Sequence, residues 1–148
     1  MIILDTNVVS ELMRALPAAA VVSWLRQQQR GSLVTTAVTI AEIRYGLARL
    51  PTGRRTTVLQ EVAERVLVAF PGQVLPFDAA AAELYGDIAA ARERVGRPIG
   101  AFDAQIAAIS RARQVLLATR NAKDFDETGV RLIDPWAQGG EAWTSRRS

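Results

Sequence analysis

Three acidic side chains far apart in the chain, Asp5, Glu42 and Asp103, with Asn121 or Asp124 as a fourth oxygen donor, are the groups that could do chemistry here. The 148 residues contain no His and no Cys. That excludes zinc sites of the Cys/His type, thiolate nucleophiles, imidazole general bases and every Ser-His-Asp triad. Chemistry must run on carboxylates, hydroxyls, amides and arginines. A metal bound by such groups should be a hard, oxygen-seeking cation such as Mg²⁺ or Mn²⁺.

The elements that must bring these groups together follow from the hydropathy pattern. Met1–Leu4 is an apolar run stopped by Asp5-Thr6-Asn7, too short for a helix and suited to a buried strand. Residues 33–36, 74–77, 115–118 and 130–133 read as further strands. Helical patterns cover 18–29, 39–50, 56–69, 79–95 (with Asp78 as its cap) and 102–113. Strands alternating with helices predict an α/β fold, with a mostly parallel central sheet of about five strands flanked by helices. Function in such sheets gathers at the carboxyl ends of the strands. Asp5 ends the first strand there, Glu42 lies in the first turn of the helix after the second, and Asp103 opens the helix leading into the 115–118 strand. The segment after Ala118 leaves the sheet at that same edge, carrying Asn121 and Asp124.

Each of these residues also has a purely structural reading. Asp5-Thr6-Asn7 fits a turn or a cap, and Thr39-x-x-Glu42 fits a capping box. Asp103 suits a helix N-terminus, where an acid favours the dipole by about 0.3–1 kcal/mol, and Asn121 and Asp124 suit a surface loop. The topology nevertheless sends all of them to one edge. Two carboxylates about 5 Å apart repel by about 3 kcal/mol at an effective dielectric near 20, so a cluster needs protons or a cation. A divalent ion meets that need and would assist cleavage of a phosphodiester.

With 18 basic and 15 acidic residues the formal charge is +3, and Lys123 is the only lysine. An arginine-dominated surface suits phosphate, although abundant Arg and Ala also fit a compositional bias. Arg44, Arg97, Arg120 and Lys123 neighbour the acidic segments and are candidate substrate contacts, with solvated surface as the alternative. No apolar run approaches the roughly 20 residues of a membrane span, and no basic leader precedes the first apolar residues, so a cytoplasmic protein is expected. One nuclease-like domain over 1–137 and a flexible tail over 138–148 are expected. The apolar positions between Ala48 and Phe70 suit either helical core or a groove for a dimer or partner.

These segments together resemble the PIN-domain family, specifically VapC-type toxins of bacterial toxin–antitoxin pairs and their FitB-like group. The resemblance is carried by Ile3-Leu4-Asp5-Thr6-Asn7-Val8-Val9-Ser10-Glu11, Thr39-Ile40-Ala41-Glu42-Ile43-Arg44-Tyr45-Gly46 and Phe102-Asp103-Ala104-Gln105-Ile106. It continues through Ala118-Thr119-Arg120-Asn121, Lys123-Asp124-Phe125 and Ile133-Asp134-Pro135-Trp136. It implies a Mg²⁺-dependent endoribonuclease toxin, with Mn²⁺ as a substitute. Such toxins are dimeric, are inhibited by a cognate VapB-type antitoxin, and reach operator DNA only through the antitoxin complex. It further implies Asp5, Glu42, Asp103 and Asp124 as catalytic acids, Asp5 and Asp103 as direct metal ligands, and Thr6 as the hydroxyl beside the first acid. Many members carry an acid where this chain has Asn121, so Asn121 binding through its carbonyl and Asp124 standing in are both open. Two rivals are a non-catalytic nucleic-acid-binding or regulatory module and a haloacid-dehalogenase-like phosphatase. The phosphatase wants an acid where Asn7 stands.

Overall fold

A computed structural model of the chain describes residues 1–70, 74–137 and 142–144. The first apolar run forms β1 (Ile2–Leu4), buried along its length. Its pleat sends alternate side chains to opposite faces of the sheet. Ile3 joins Val34, Leu117 and Leu132 of the other strands in a core with Ile88, Ile106 and Ile109. Ile2 and Leu4 join Val8, Val9, Val21 and Trp24 on the other side. Each fully buried Val, Leu or Ile contributes about 1.5–3 kcal/mol, so the two layers clamp β1 and fix where its carboxyl end lies.

The remaining elements in chain order are α1 (Thr6–Leu12), α2 (Ala19–Arg26), β2 (Leu33–Thr36), α3 (Ala37–Ala48), α4 (Arg54–Leu67) and β3 (Val74–Leu75). They are followed by α5 (Ala79–Arg94), α6 (Ala101–Arg113), β4 (Leu116–Ala118), a 3₁₀ turn (Ala122–Phe125), β5 (Arg131–Ile133) and β6 (Ala142–Thr144). The strands stand in the order β3-β2-β1-β4-β5-β6. The first five are parallel, as the alternating pattern predicts, and β6 pairs antiparallel with β5. β6 occupies residues 142–144 of the segment expected as a flexible tail. The remainder of that segment after Ala137 lies outside the described residues. No helix among the described residues is long and apolar enough to cross a membrane.

Of the two local readings of Asp5-Thr6-Asn7, the cap is the one observed: Asp5 caps α1, accepting from the Thr6 N–H at 2.8 Å. A seven-residue helix too short for a clear apolar stripe follows. α3 begins at Ala37 rather than Thr39, because Thr36 is its cap and its hydroxyl accepts from the Thr39 N–H at 3.0 Å. Glu42 is therefore in the second turn and makes no capping box. Asp78 caps α5 as predicted, accepting from the Ala81 N–H at 3.1 Å. The strand expected over 74–77 is confined to Val74–Leu75.

Candidate active site

Strand register builds the first part of the site. Leu4 of β1 pairs with Ala118 of β4, so the next residues, Asp5 and Thr119, leave the sheet side by side. Both are buried. The Thr119 hydroxyl donates to Asp5 Oδ2 at 2.8 Å, and the Asn7 amide donates to the same oxygen at 2.8 Å. With the Thr6 N–H on Oδ1, three of the roughly four acceptor positions of the carboxylate are used, leaving about one. Burial, helped by the charge of Glu42, pushes the Asp5 pKa up to about 6, while the bonds from Thr119, Thr6 and Asn7 pull it down.

Thr119 spends its whole hydroxyl here: it also accepts from Asn7 Nδ2 at 3.0 Å and from the Asn121 N–H at 3.1 Å. It therefore ties the loop after β4 to Asp5. Sequence reading gave Thr119 no role of its own. The available signal was its place one residue beyond a parallel strand, the position Asp5 holds on β1.

Glu42 reaches the site from α3. The Thr6 hydroxyl donates to Glu42 Oε1 at 2.7 Å, a charge-assisted bond between the first turns after β1 and the second turn of α3. The buried Thr36 and Thr39 hydroxyls lie 3.2 Å apart beneath it. Thr6 is thus the link that brings the second acid to the first, rather than a free hydroxyl at the cleft.

Asp103 is the third residue of α6, the helix whose Ala104, Ala107 and Ala108 are fully buried against the sheet and α5. Small residues there let the helix approach closely and carry Asp103 to the edge. Its pKa is pushed up to about 7, first by burial and then by the charges of Asp5, Glu42 and Asp124, with the Arg92 charge pulling it down. All four acids therefore share one field. Asp124, on the 3₁₀ turn, is the acid among the two fourth-position candidates. Asn121 sits just before that turn, exposed, with its backbone bound to Thr119.

Among the described residues no three acidic groups stand close enough together to enclose a bare ion. The four acids that act on one another by charge are nonetheless all oxygen donors, the ligand type that hard divalent cations take.

The basic candidates separate. Arg44 is two residues beyond Glu42 on α3, roughly 200° around the helix, and is engaged in a two-pronged ion pair with Glu64 of α4. Arg97 reaches Asp126 at 3.6 Å. The Arg120 guanidinium stacks 5.2 Å from the Trp136 ring centre, and its backbone N–H donates to Asn7 Oδ1 at 3.2 Å. Lys123 is exposed. Arg120, Asn121, Ala122, Lys123 and Asp124 line an open cleft of about 370 Å³. Two basic side chains beside Asp124 on one open cleft are an arrangement that can receive a polyanion.

Residues 2–130 match the model of the PIN domain. The chain is 44% identical to the VapC ribonuclease Y4jK of Sinorhizobium fredii over 137 residues, 92% of this chain and 98% of the relative. It is 38% identical to the toxin FitB of Neisseria gonorrhoeae, over 92% of this chain and 99% of that toxin. The solved structure of FitAB bound to an IR36 DNA fragment superposes with a TM-score of 0.85 at 37% identity, covering 95% of this chain and 99% of the other.

Proposed function

The chain belongs to the PIN-domain family, among its VapC- and FitB-type toxin–antitoxin ribonucleases, and we propose that it is a toxin whose endoribonuclease activity hydrolyses RNA phosphodiester bonds with Mg²⁺. Mn²⁺ substitutes for Mg²⁺ in this reading. A cognate VapB-type antitoxin silences the toxin. The protein works as a homodimer in the cytoplasm and meets operator DNA only through the antitoxin complex. The observation that carries the reading is the convergence of Asp5, Glu42 and Asp124 on Asp103, each raising its proton affinity by charge.

When bound, a divalent ion supplies charge stabilisation at the scissile phosphate and a more acidic water. Asp5 and Asp103 are the residues to hold it. Asp5 is suited to that role because its three donors favour the carboxylate and orient it. Glu42, pinned at Oε1 by Thr6, serves as a further ligand, directly or through water, or positions the attacking water. Asp124 adds negative charge, and Asn121 offers a neutral oxygen beside it. Arg120 and Lys123 hold the RNA backbone at the rim.

The test is cleavage of RNA by the purified chain with Mg²⁺, with Mn²⁺ and with chelator, alongside Asp103→Asn. Cleavage that needs the metal and disappears in the variant supports the reading. Metal-independent cleavage, or full activity of Asp103→Asn, overturns it. Induction with and without the neighbouring upstream reading frame, with RNA ends mapped in the same cells, tests the antitoxin and the target together.

A further inference from the structure

We propose that Arg92 is a positioning residue of the acidic site, locking the 3₁₀ turn that carries Asp124 against the loop that leads into the helix carrying Asp103. This rests on the metal-dependent nuclease reading above, which assigns Arg92 nothing.

Arg92 lies near the end of α5 and is 5% exposed. None of the ion pairs among the described residues involves it. Its guanidinium instead donates to three backbone carbonyls: Nε to Arg97 at 2.6 Å, and Nη1 to Asp124 at 2.7 Å and Asp126 at 2.8 Å. The Arg97 N–H returns to the Arg92 carbonyl at 2.9 Å. One side chain therefore spans the gap between two loops separated by more than twenty residues. Neither loop has a strand or a long helix of its own at that point.

What those loops carry gives the contact its meaning. Arg97 begins the four-residue passage through Pro98 and Ile99 to Gly100, the cap of α6. Ile99 packs on the core. Asp103 follows on the first turn, with its Oδ2 3.8 Å from where a side chain on Gly100 would begin. On the other side, Asp124 and Asp126 bracket Phe125, which is buried. Arg92 grips the carbonyls on both sides of that anchor. A buried cation without a carboxylate partner is costly. Three carbonyl dipoles and the nearby acidic charge, which Asp103 and Arg92 feel mutually, offset the cost. Arginine is needed for this because its fork offers several donors in a fixed plane, whereas a lysine is a single point charge on a flexible stem.

Partners that orient metal ligands from behind alter metal affinity by about 10–100-fold when removed. The test uses the full chain as wild type, Arg92→Lys, Arg92→Met and, as a control for charge removal on the same helix, the exposed Arg94→Ala. Mn²⁺ binding is read by electron paramagnetic resonance, and amide hydrogen exchange is read residue by residue. We expect Mn²⁺ affinity to fall by about 10–100-fold in both Arg92 variants. Exchange should speed up at the Asp124, Asp126 and Ala104 amides while Ile3, Leu117 and Leu132 stay protected. Arg94→Ala should match wild type. Arg92→Lys keeps the charge and guards against outright unfolding of Arg92→Met. Wild-type Mn²⁺ affinity in Arg92→Lys overturns the positioning role alone. So does loss of protection spread evenly through the sheet with affinity per folded molecule unchanged. A wild-type chain that binds no Mn²⁺ overturns the metal reading and the positioning role with it.

Discussion

Thr119 donates its hydroxyl proton to Asp5 across 114 residues of chain, at 2.8 Å. The pair exists because β1 and β4 are parallel neighbours in a register that brings Leu4 opposite Ala118, so two strands end together. Thr119→Val keeps the shape and removes the donor, and it also strips an acceptor from Asn7 and from the Asn121 N–H. Loss of a buried partner costs about 1–3 kcal/mol. We expect thermal or urea unfolding to show that loss and metal affinity to drop by about tenfold or more. Thr119→Ser should recover both, and a Thr119→Val protein with wild-type affinity would remove Thr119 from the site.

Asp103 carries the burden of its acidic neighbours. Replacing it with Asn should abolish metal-dependent RNA cleavage. In metal-free buffer near pH 8, above the raised pKa of about 7, the variant should melt at a higher temperature than wild type, since a repelled charge is gone. Calorimetry of the two proteins with chelator decides it, and a lower melting temperature for the variant would count against the shared field.

Stability of the metal-free protein should fall as pH rises. Asp5 and Asp103 have ordinary values of 3.8 and folded values of about 6 and about 7, so between these limits the folded state holds more protons than the unfolded one. Their contribution is complete below about pH 4 and is lost on passing through pH 6 to 7. Saturating Mg²⁺ should flatten the decline, because the ion takes the protons' place. Unfolding midpoints measured from pH 4 to 8 with chelator and with Mg²⁺ check this, and parallel curves would contradict it.

The basic residues should not respond alike. Arg120→Ala or Lys123→Ala should weaken RNA binding and lower the salt slope by about one unit each. Arg44→Ala should leave the slope unchanged, since its guanidinium is turned to Glu64 on the far side of α3 from Glu42. Filter binding of a short RNA to the Asp103→Asn protein from about 50 to 200 mM salt separates them.

A core change should act on stability alone. Leu132→Ala in β5, fully buried, should cost about 2–5 kcal/mol while leaving Mn²⁺ affinity of the folded protein intact. Denaturant titration with and without Mn²⁺ measures both quantities.

Composition and local pattern alone decided what chemistry is possible and roughly where it sits. The absence of His and Cys left only oxygen donors. The alternation of short apolar runs with amphipathic stretches placed Asp5, Glu42 and Asp103 at one sheet edge before any contact was known. Periodicity reports where an element lies, and for the strand over 33–36 and the helix over 102–113 that was enough. It does not report what a polar side chain touches. Glu42 fitted a capping box by spacing. Only the packing of α3 beside α1 handed it to Thr6 and left the cap to Thr36. The same holds for Thr119 against Asp5, for Asp124 as an acid whose charge acts on Asp103, and for Arg92 bridging two loops. Those relations depend on strand register and helix docking, which the buried core sets through many small contacts spread over the whole chain, so no short window of residues contains them.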